Sequence, residues 1–255
     1  MEIACVGCSW TYGYGIERKD TYPEILNSEL KEHNVTNYGM SGVSLPQIFH
    51  KIIELVDTNK PDAIIIQGTT LDRASFGKNG YESFLKEQYL TPPDDYAISL
   101  LNITPATYLD AINEGTGFFK ELVDNIQYKG SKEDLAKFIK VYVENVMYDR
   151  FTLDNHIISL ATLQSYLNER GVKHIFFPYL HYTWSENNNF NIWDTKFGNI
   201  VDYSRIIKKP FYTWLKENTS NDYYIDNGFH LGKEGNEILV KNYLLPNLKE
   251  LLNEN

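Results

Sequence analysis

Residues 61–68 read Pro61-Asp62-Ala63-Ile64-Ile65-Ile66-Gln67-Gly68. A continuous β-branched run with no polar alternation describes a strand buried on both faces, as in a parallel sheet covered by helices. Upstream, Ile3 to Gly7 is a second apolar strand, and Val35 to Asn37 reads as a short strand running into Tyr38-Gly39-Met40-Ser41-Gly42. Between these strands lie two helical patterns. The first carries a capping box at Thr21-x-x-Glu24, with Tyr22, Ile25, Leu26 and Leu30 on one face and an end expected near His33-Asn34. The second is capped at Ser44-x-x-Gln47, carries Ile48, Ile52 and Leu55, and is stopped by the turn Lys60-Pro61-Asp62.

The first 75 residues therefore read β-α-β-α-β. Downstream, residues 131–170 hold a long helical pattern capped at Ser131-x-x-Asp134 and closed by Gly171, followed by the buried strand Lys173–Pro178. About Glu234 to Leu252 is a last helix with Ile238, Leu239, Tyr243, Leu244 and Leu248 inward. Alternating strands and helices predict a three-layer α/β/α sandwich around a doubly wound parallel sheet. Two segments break the rhythm: about 74–130, expected to be an insertion, and 181–205, an aromatic, Asn-rich loop. Both are expected beside the cleft, where loops on a rigid scaffold select substrates. There is no internal repeat and no linker, so 1–255 is read as a single domain.

At 255 residues and 42% hydrophobic content the chain can build a large core. A net charge of −10 and a pI near 5.1 disfavour nucleic acid and anionic membrane surfaces as partners. Met1 leads directly into a strand, so no signal peptide and a cytoplasmic location are expected. The motifs G-x-G-x-x-G and G-x-x-x-x-G-K-[ST] are missing, and the two cysteines have no further ligands at zinc spacing, so no cofactor or metal is expected. Cys5 and Cys8 form a C-x-x-C, but Cys5 sits inside a strand pattern rather than at a helix N-terminus, which speaks against redox chemistry.

Three short segments carry the chemistry. Ser9 follows the first strand in Gly7-Cys8-Ser9, at the sheet edge where open α/β sheets bind ligands. Asn37-Tyr38-Gly39-Met40-Ser41-Gly42 ends the second strand, where glycines let backbone N–H groups approach an oxyanion. Asp226-Asn227-Gly228-Phe229-His230-Leu231 precedes the last helix and pairs an imidazole with an acid. Each alone is an ordinary turn.

Together and in this order they resemble the SGNH (GDSL-type) hydrolase family, on Gly7-Cys8-Ser9-Trp10-Thr11-Tyr12-Gly13, Asn37-x-Gly39-x-Ser41-Gly42 and His230-Leu231-x-x-x-Gly235. The sequence looks similar to a branch, found in phage and bacterial genomes, with Cys before the serine. The resemblance implies the flavodoxin-like SGNH fold, Ser9 as nucleophile, His230 as general base, and the N–H groups of Ser9 and Gly39 as oxyanion donors. It departs from the family twice. The third block, G-x-N-D, is here Gln67-Gly68-Thr69-Thr70-Leu71-Asp72, so Gln67 or Thr70 would have to replace the Asn side chain in the oxyanion hole. The family Asp three residues before the His is here Asn227, with Asp226 one residue earlier as the acid expected to orient His230 and Asn227 as support.

Trp10, Gln67, His181 and Trp184 are candidates for substrate contact, since aromatic rings suit sugar and acyl faces. The resemblance implies a serine hydrolase acting on a small-molecule or glycan ester, with an O-acyl group on a carbohydrate as the expected target. Acyl transfer to a sugar uses the same chemistry and stays open. A catalytically weak SGNH-like binding or virion-associated protein is the alternative.

Overall fold

The computed structural model describes residues 1–41, 43–69, 75–76, 98–99, 137, 150–178, 197–219, 223–225 and 230–248. The chain divides into two compact units, Met1–Thr70 with Asp154–Asn255, and Leu71–Leu153. In the second, β4 (Ser75–Phe76) pairs antiparallel with β5 (Ile98–Ser99). The rest of the expected insertion, the loop at 181–196 and the capped start of the 131–170 helical pattern lie outside the described residues.

The first unit is built on β1 (Glu2–Gly7), β2 (Asn34–Gly39), β3 (Ala63–Gly68) and β6 (Lys173–Pro178). They form one parallel sheet in the order β2-β1-β3-β6, so the chain leaves β1 toward one edge and returns past it toward the other. That reversal is the topological switch of a doubly wound sheet, and it sits at the carboxyl end of β1. β3 is buried along its whole length, as its unbroken apolar run requires.

Helices cover both faces. On one face, Ile3, Cys5, Ile65, Ile175 and Phe177 pack with α2 (Tyr22–Glu29), α5 (Phe211–Asn218) and the turns that follow α6 (Lys233–Ile238), through Tyr22, Leu26, Phe211, Leu239 and Tyr243. Phe177 meets Tyr22 and Tyr243 edge-on, with ring centroids 5.8 and 6.1 Å apart. The alternate strand residues Ala4, Val6, Ile64, Ile66 and Phe176 are buried toward the other face. That face is covered by α3 (Leu45–Thr58) and α4 (Arg150–Glu169), whose ends are joined where Asp57 accepts from Tyr166 Oη and Arg170 at 3.0 and 3.2 Å.

Three local expectations change. The Thr21–Glu24 capping box does not form, because the 3₁₀ turn Arg18–Asp20 engages both members: Thr21 Oγ1 donates to the Arg18 carbonyl at 2.8 Å, and Glu24 takes Arg18 Nε at 2.9 Å. Nor does α2 reach His33. It ends at Glu29, and Asn27 Oδ1 ties it to β2 by accepting the Val35 N–H at 2.9 Å. The last helix is not uniform: after α6 it widens into a π-helix over Leu239–Leu244 before continuing to Leu248. The box at Ser44 does form, with the Ser44 N–H on Gln47 Oε1 at 2.7 Å. Among the described residues no helix is long and apolar enough to cross a membrane.

His174, on β6, is fully buried. Its Nδ1–H donates to the Val172 carbonyl at 3.2 Å, and Nε2 has no partner among the described residues. Burial holds its pKa below the usual imidazole value, with Arg205 adding to the effect, while the Val172 carbonyl and Asp202 oppose it. The unfolded chain therefore binds a proton that the folded chain refuses as pH falls through about 6.5. Stability should be fully present above that pH and fall below it by up to about 1.4 kcal/mol per pH unit from this site. Urea midpoints measured between pH 5 and 7.5 should show a steeper acid loss for the parent than for His174→Gln, and parallel curves would exclude this origin.

Candidate active site

Cys8 leaves β1 in extended conformation and Ser9 opens α1 (Ser9–Tyr12), one turn of helix at the switch point. The helix ends at Gly13, which has φ +87° and donates to the Ser9 carbonyl at 2.9 Å; Gly15 follows with φ +79°. Two left-handed residues in three turn the chain back over Ser9, a path open to glycine and costly for other residues.

The turn is fastened from below by β3. Gln67 is 1% exposed, and its Oε1 accepts from the Cys8 N–H at 3.0 Å, Cys8 Sγ at 3.2 Å and Thr11 Oγ1 at 3.2 Å. Its Nε2 donates to the Gly68 carbonyl at 2.5 Å. The strand register that makes Gln67 the last buried side chain of β3 thus gives it a structural post beneath Ser9. It is not aimed at substrate, nor does its amide replace the oxyanion-hole Asn. Tyr22, also buried, completes the network with its hydroxyl 3.1 Å from Thr11 Oγ1.

β2 fastens the turn from the side. Asn37 Nδ2 donates to the Thr11 carbonyl at 2.7 Å and Asn37 Oδ1 accepts the Gly39 N–H at 2.8 Å. A Cβ on Gly39 would lie 2.1 Å from the Tyr12 nitrogen, so only glycine lets α1 cross the end of β2. The Gly39 N–H, expected as an oxyanion donor, is thus engaged by Asn37 and would serve an oxyanion by sharing or releasing that bond.

His230 arrives from the far end of the chain. Tyr224 and Leu231 form an antiparallel bridge, the Ile225 N–H donates to the His230 carbonyl at 2.8 Å, and the Gly232 N–H donates to the Tyr223 carbonyl at 2.7 Å. Buried Leu231 anchors this hairpin against α6, where the side chain of Asn236 donates to the Leu231 and Gly232 carbonyls at 3.3 and 3.0 Å. The half-buried imidazole then meets the serine, with Nε2 2.9 Å from Ser9 Oγ. With the ring proton on Nδ1, the hydroxyl donates to Nε2, the geometry in which a base can take the serine proton. Asp226, Asn227, Thr70, His181 and Trp184 lie outside the described residues.

The fold is shared with known structures. The chain has the SGNH-hydrolase fold. It is similar to the psychrotrophic esterase EstA from Pseudoalteromonas sp., at 9% identity over 98% of this chain and 96% of that one, with a TM-score of 0.50. It is similar to TesA, at 12% identity over 98% and 99% of the two chains and a TM-score of 0.50. A catalytic mutant of Axe2, an acetylxylan esterase from Geobacillus stearothermophilus, matches at 12% identity over 100% and 94%, again with a TM-score of 0.50. No family model matches the chain, and no curated protein matches it. At such identities the likeness speaks for the fold alone.

Two neighbours of the Ser9–His230 pair differ from expectation. Trp10, expected against substrate, stacks on the His230 ring with centroids 5.2 Å apart and planes at 30°. Tyr14, which sequence reasoning did not single out, lies 4.9 Å from the same ring at 39°. Both thiols of the C-x-x-C are free and buried, and burial pushes the Cys5 pKa up, away from the thiolate form. Gln67→Leu should leave the Cys8 N–H buried and unpaired. A stability loss of about 1–3 kcal/mol in urea unfolding is expected, and an unchanged midpoint would show that the turn does not depend on this amide.

Proposed function

We propose that the chain is a serine ester hydrolase of the SGNH type, one domain over 1–255 with about 74–130 inserted, acting on an O-acyl group of a carbohydrate. The observation that carries the reading is the 2.9 Å approach of Ser9 Oγ to His230 Nε2 at the sheet's switch point. The description of one fold neighbour, Axe2, as an acetylxylan esterase supports the substrate class.

In this reading Ser9 Oγ attacks the ester carbonyl carbon while its proton passes to His230 Nε2. The carbonyl oxygen becomes an oxyanion, received by the Ser9 N–H, by the Gly39 N–H once it turns from Asn37, and by Thr70. The intermediate collapses as His230 returns the proton to the leaving alcohol oxygen, giving acyl-Ser9. Water then attacks the acyl carbon as it loses a proton to His230, and His230 returns that proton to Ser9 Oγ as the carboxylic acid leaves, restoring the serine and the neutral base. Asp226 orients His230, because only a carboxylate both fixes the Nδ1–H tautomer and offsets the imidazolium charge. Asn227 supports the loop. A sugar hydroxyl in place of water would make the same site an acyltransferase.

The engaged Gly39 N–H favours a second reading, a weakly active SGNH-like binding protein. A fluorophosphonate probe separates the two, since only an activated serine is labelled. Labelling is expected in the parent and lost in Ser9→Ala and His230→Ala; an unlabelled parent would leave the binding reading. Within the hydrolase reading, Asp226→Asn should lower kcat on an activated ester by orders of magnitude, since the same change in a serine-protease triad costs about 10⁴-fold. Asn227→Ala should change it little, and the reverse ranking would assign the orienting role to Asn227.

A further inference from the structure

The His230 imidazole is packed by two aromatic rings from the turn that carries the nucleophile. Trp10 is the residue after Ser9, and Tyr14 is brought round by the left-handed Gly13 and Gly15. Trp10 is itself held edge-on by Tyr224, with centroids 6.2 Å apart, and Tyr224 leans on Tyr212 at 6.1 Å. The bridge Tyr224–Leu231 ties that aromatic chain to the histidine's own hairpin. Ser9, Trp10, Tyr14 and His230 thus form one packed group, and the ring that gains a proton in the proposed reaction lies against two electron-rich rings.

We infer that Trp10 and Tyr14 are positioning residues that hold the His230 ring toward Ser9 and stabilise its cationic form through their π faces. The inference deepens the proposed reaction and rests on it. When the Ser9 proton moves to Nε2, the new positive charge spreads over an imidazole whose neighbours at 5.2 and 4.9 Å attract cations by their ring quadrupoles. Tyr14 is half exposed, so its ring contributes little to the core and its placement against the imidazole needs another reason. Among the described residues the titratable groups on the elements packed around His230 are Cys8, Tyr12 and Tyr14 on the Ser9 turn, Tyr223 and Tyr224 across the bridge, and Glu234 and Lys233 on α6, Lys233 pairing with Asp20 at 3.4 Å; the proposed reaction adds Asp226, which is unchanged in every variant compared below.

The test compares Tyr14→Phe with Tyr14→Leu, which fill similar space but differ in having a π face. The His230 ring is titrated by NMR in the whole protein, and kcat/KM for p-nitrophenyl acetate is followed against pH. Tyr14→Phe is expected to keep the parent midpoint in both. Tyr14→Leu is expected to shift the imidazole titration and the acid limb to lower pH by roughly 0.4–0.7 unit, with kcat reduced several-fold and KM held. Trp10→Leu against Trp10→Phe should repeat the pattern, with thermal midpoints reporting any loss of fold. Equal imidazole pKa values in Tyr14→Phe and Tyr14→Leu, or a rise in the Leu variant, would overturn the inference. If the parent neither turns over ester nor takes the fluorophosphonate, the proposed reaction fails, and the NMR titration still decides whether the rings stabilise the cation.

Discussion

The Gln67 carboxamide, sealed at the carboxyl end of β3, receives the Cys8 N–H, the Cys8 thiol and the Thr11 hydroxyl on one oxygen. The residues on either side of Ser9 are thereby referred to the rigid centre of the sheet rather than to a surface loop. A buried N–H with no acceptor costs about 1–3 kcal/mol, so the turn is anchored by the penalty of letting go as well as by the bond itself. The serine and its neighbours on that turn are thus held from beneath by this one side chain. Asn37 repeats the device from β2, binding the Thr11 carbonyl and the Gly39 N–H with one amide.

Much of this was legible in sequence because it rests on local pattern. The unbroken apolar runs of β1, β3 and β6 can exist only in a covered sheet, and the alternation with helices leaves few topologies. Ser9 and His230, 221 residues apart, are brought together as their motif positions imply. What could not be read depends on contacts that periodicity does not encode. The end of α2 is set by the Asn27 side chain reaching β2, and the failed Thr21 box by an Arg18 turn too short to show a period. Gln67 read as site-facing because it sits at a strand end beside a recognisable block. Its alternation and full burial turn it inward instead.

Tyr14 shows the same limit from the other side. The glycines at 13 and 15 signalled a turn, but a turn signal carries no direction. Only with both residues left-handed does the chain fold back and bring the phenol onto His230. A signal was present in retrospect: an aromatic between two glycines, directly after the Ser9 turn, has no core of its own to join.

A catalytic histidine needs a fixed orientation and a way to tolerate charge, and the two needs are met by different physics. A carboxylate meets both, but removing it and the imidazolium from water carries a desolvation cost that their attraction must repay. Ring faces hold an imidazole by packing at little such cost and attract its cation more weakly. Here the hairpin through Tyr224 and Leu231 and the rings of Trp10 and Tyr14 already fix the imidazole against Ser9. Packing thus supplies part of the orientation that a histidine at such a site requires. In the proposed reaction Asp226 then fixes which ring nitrogen carries the proton, a choice that ring packing leaves open, and adds its full charge to the weaker attraction of the rings.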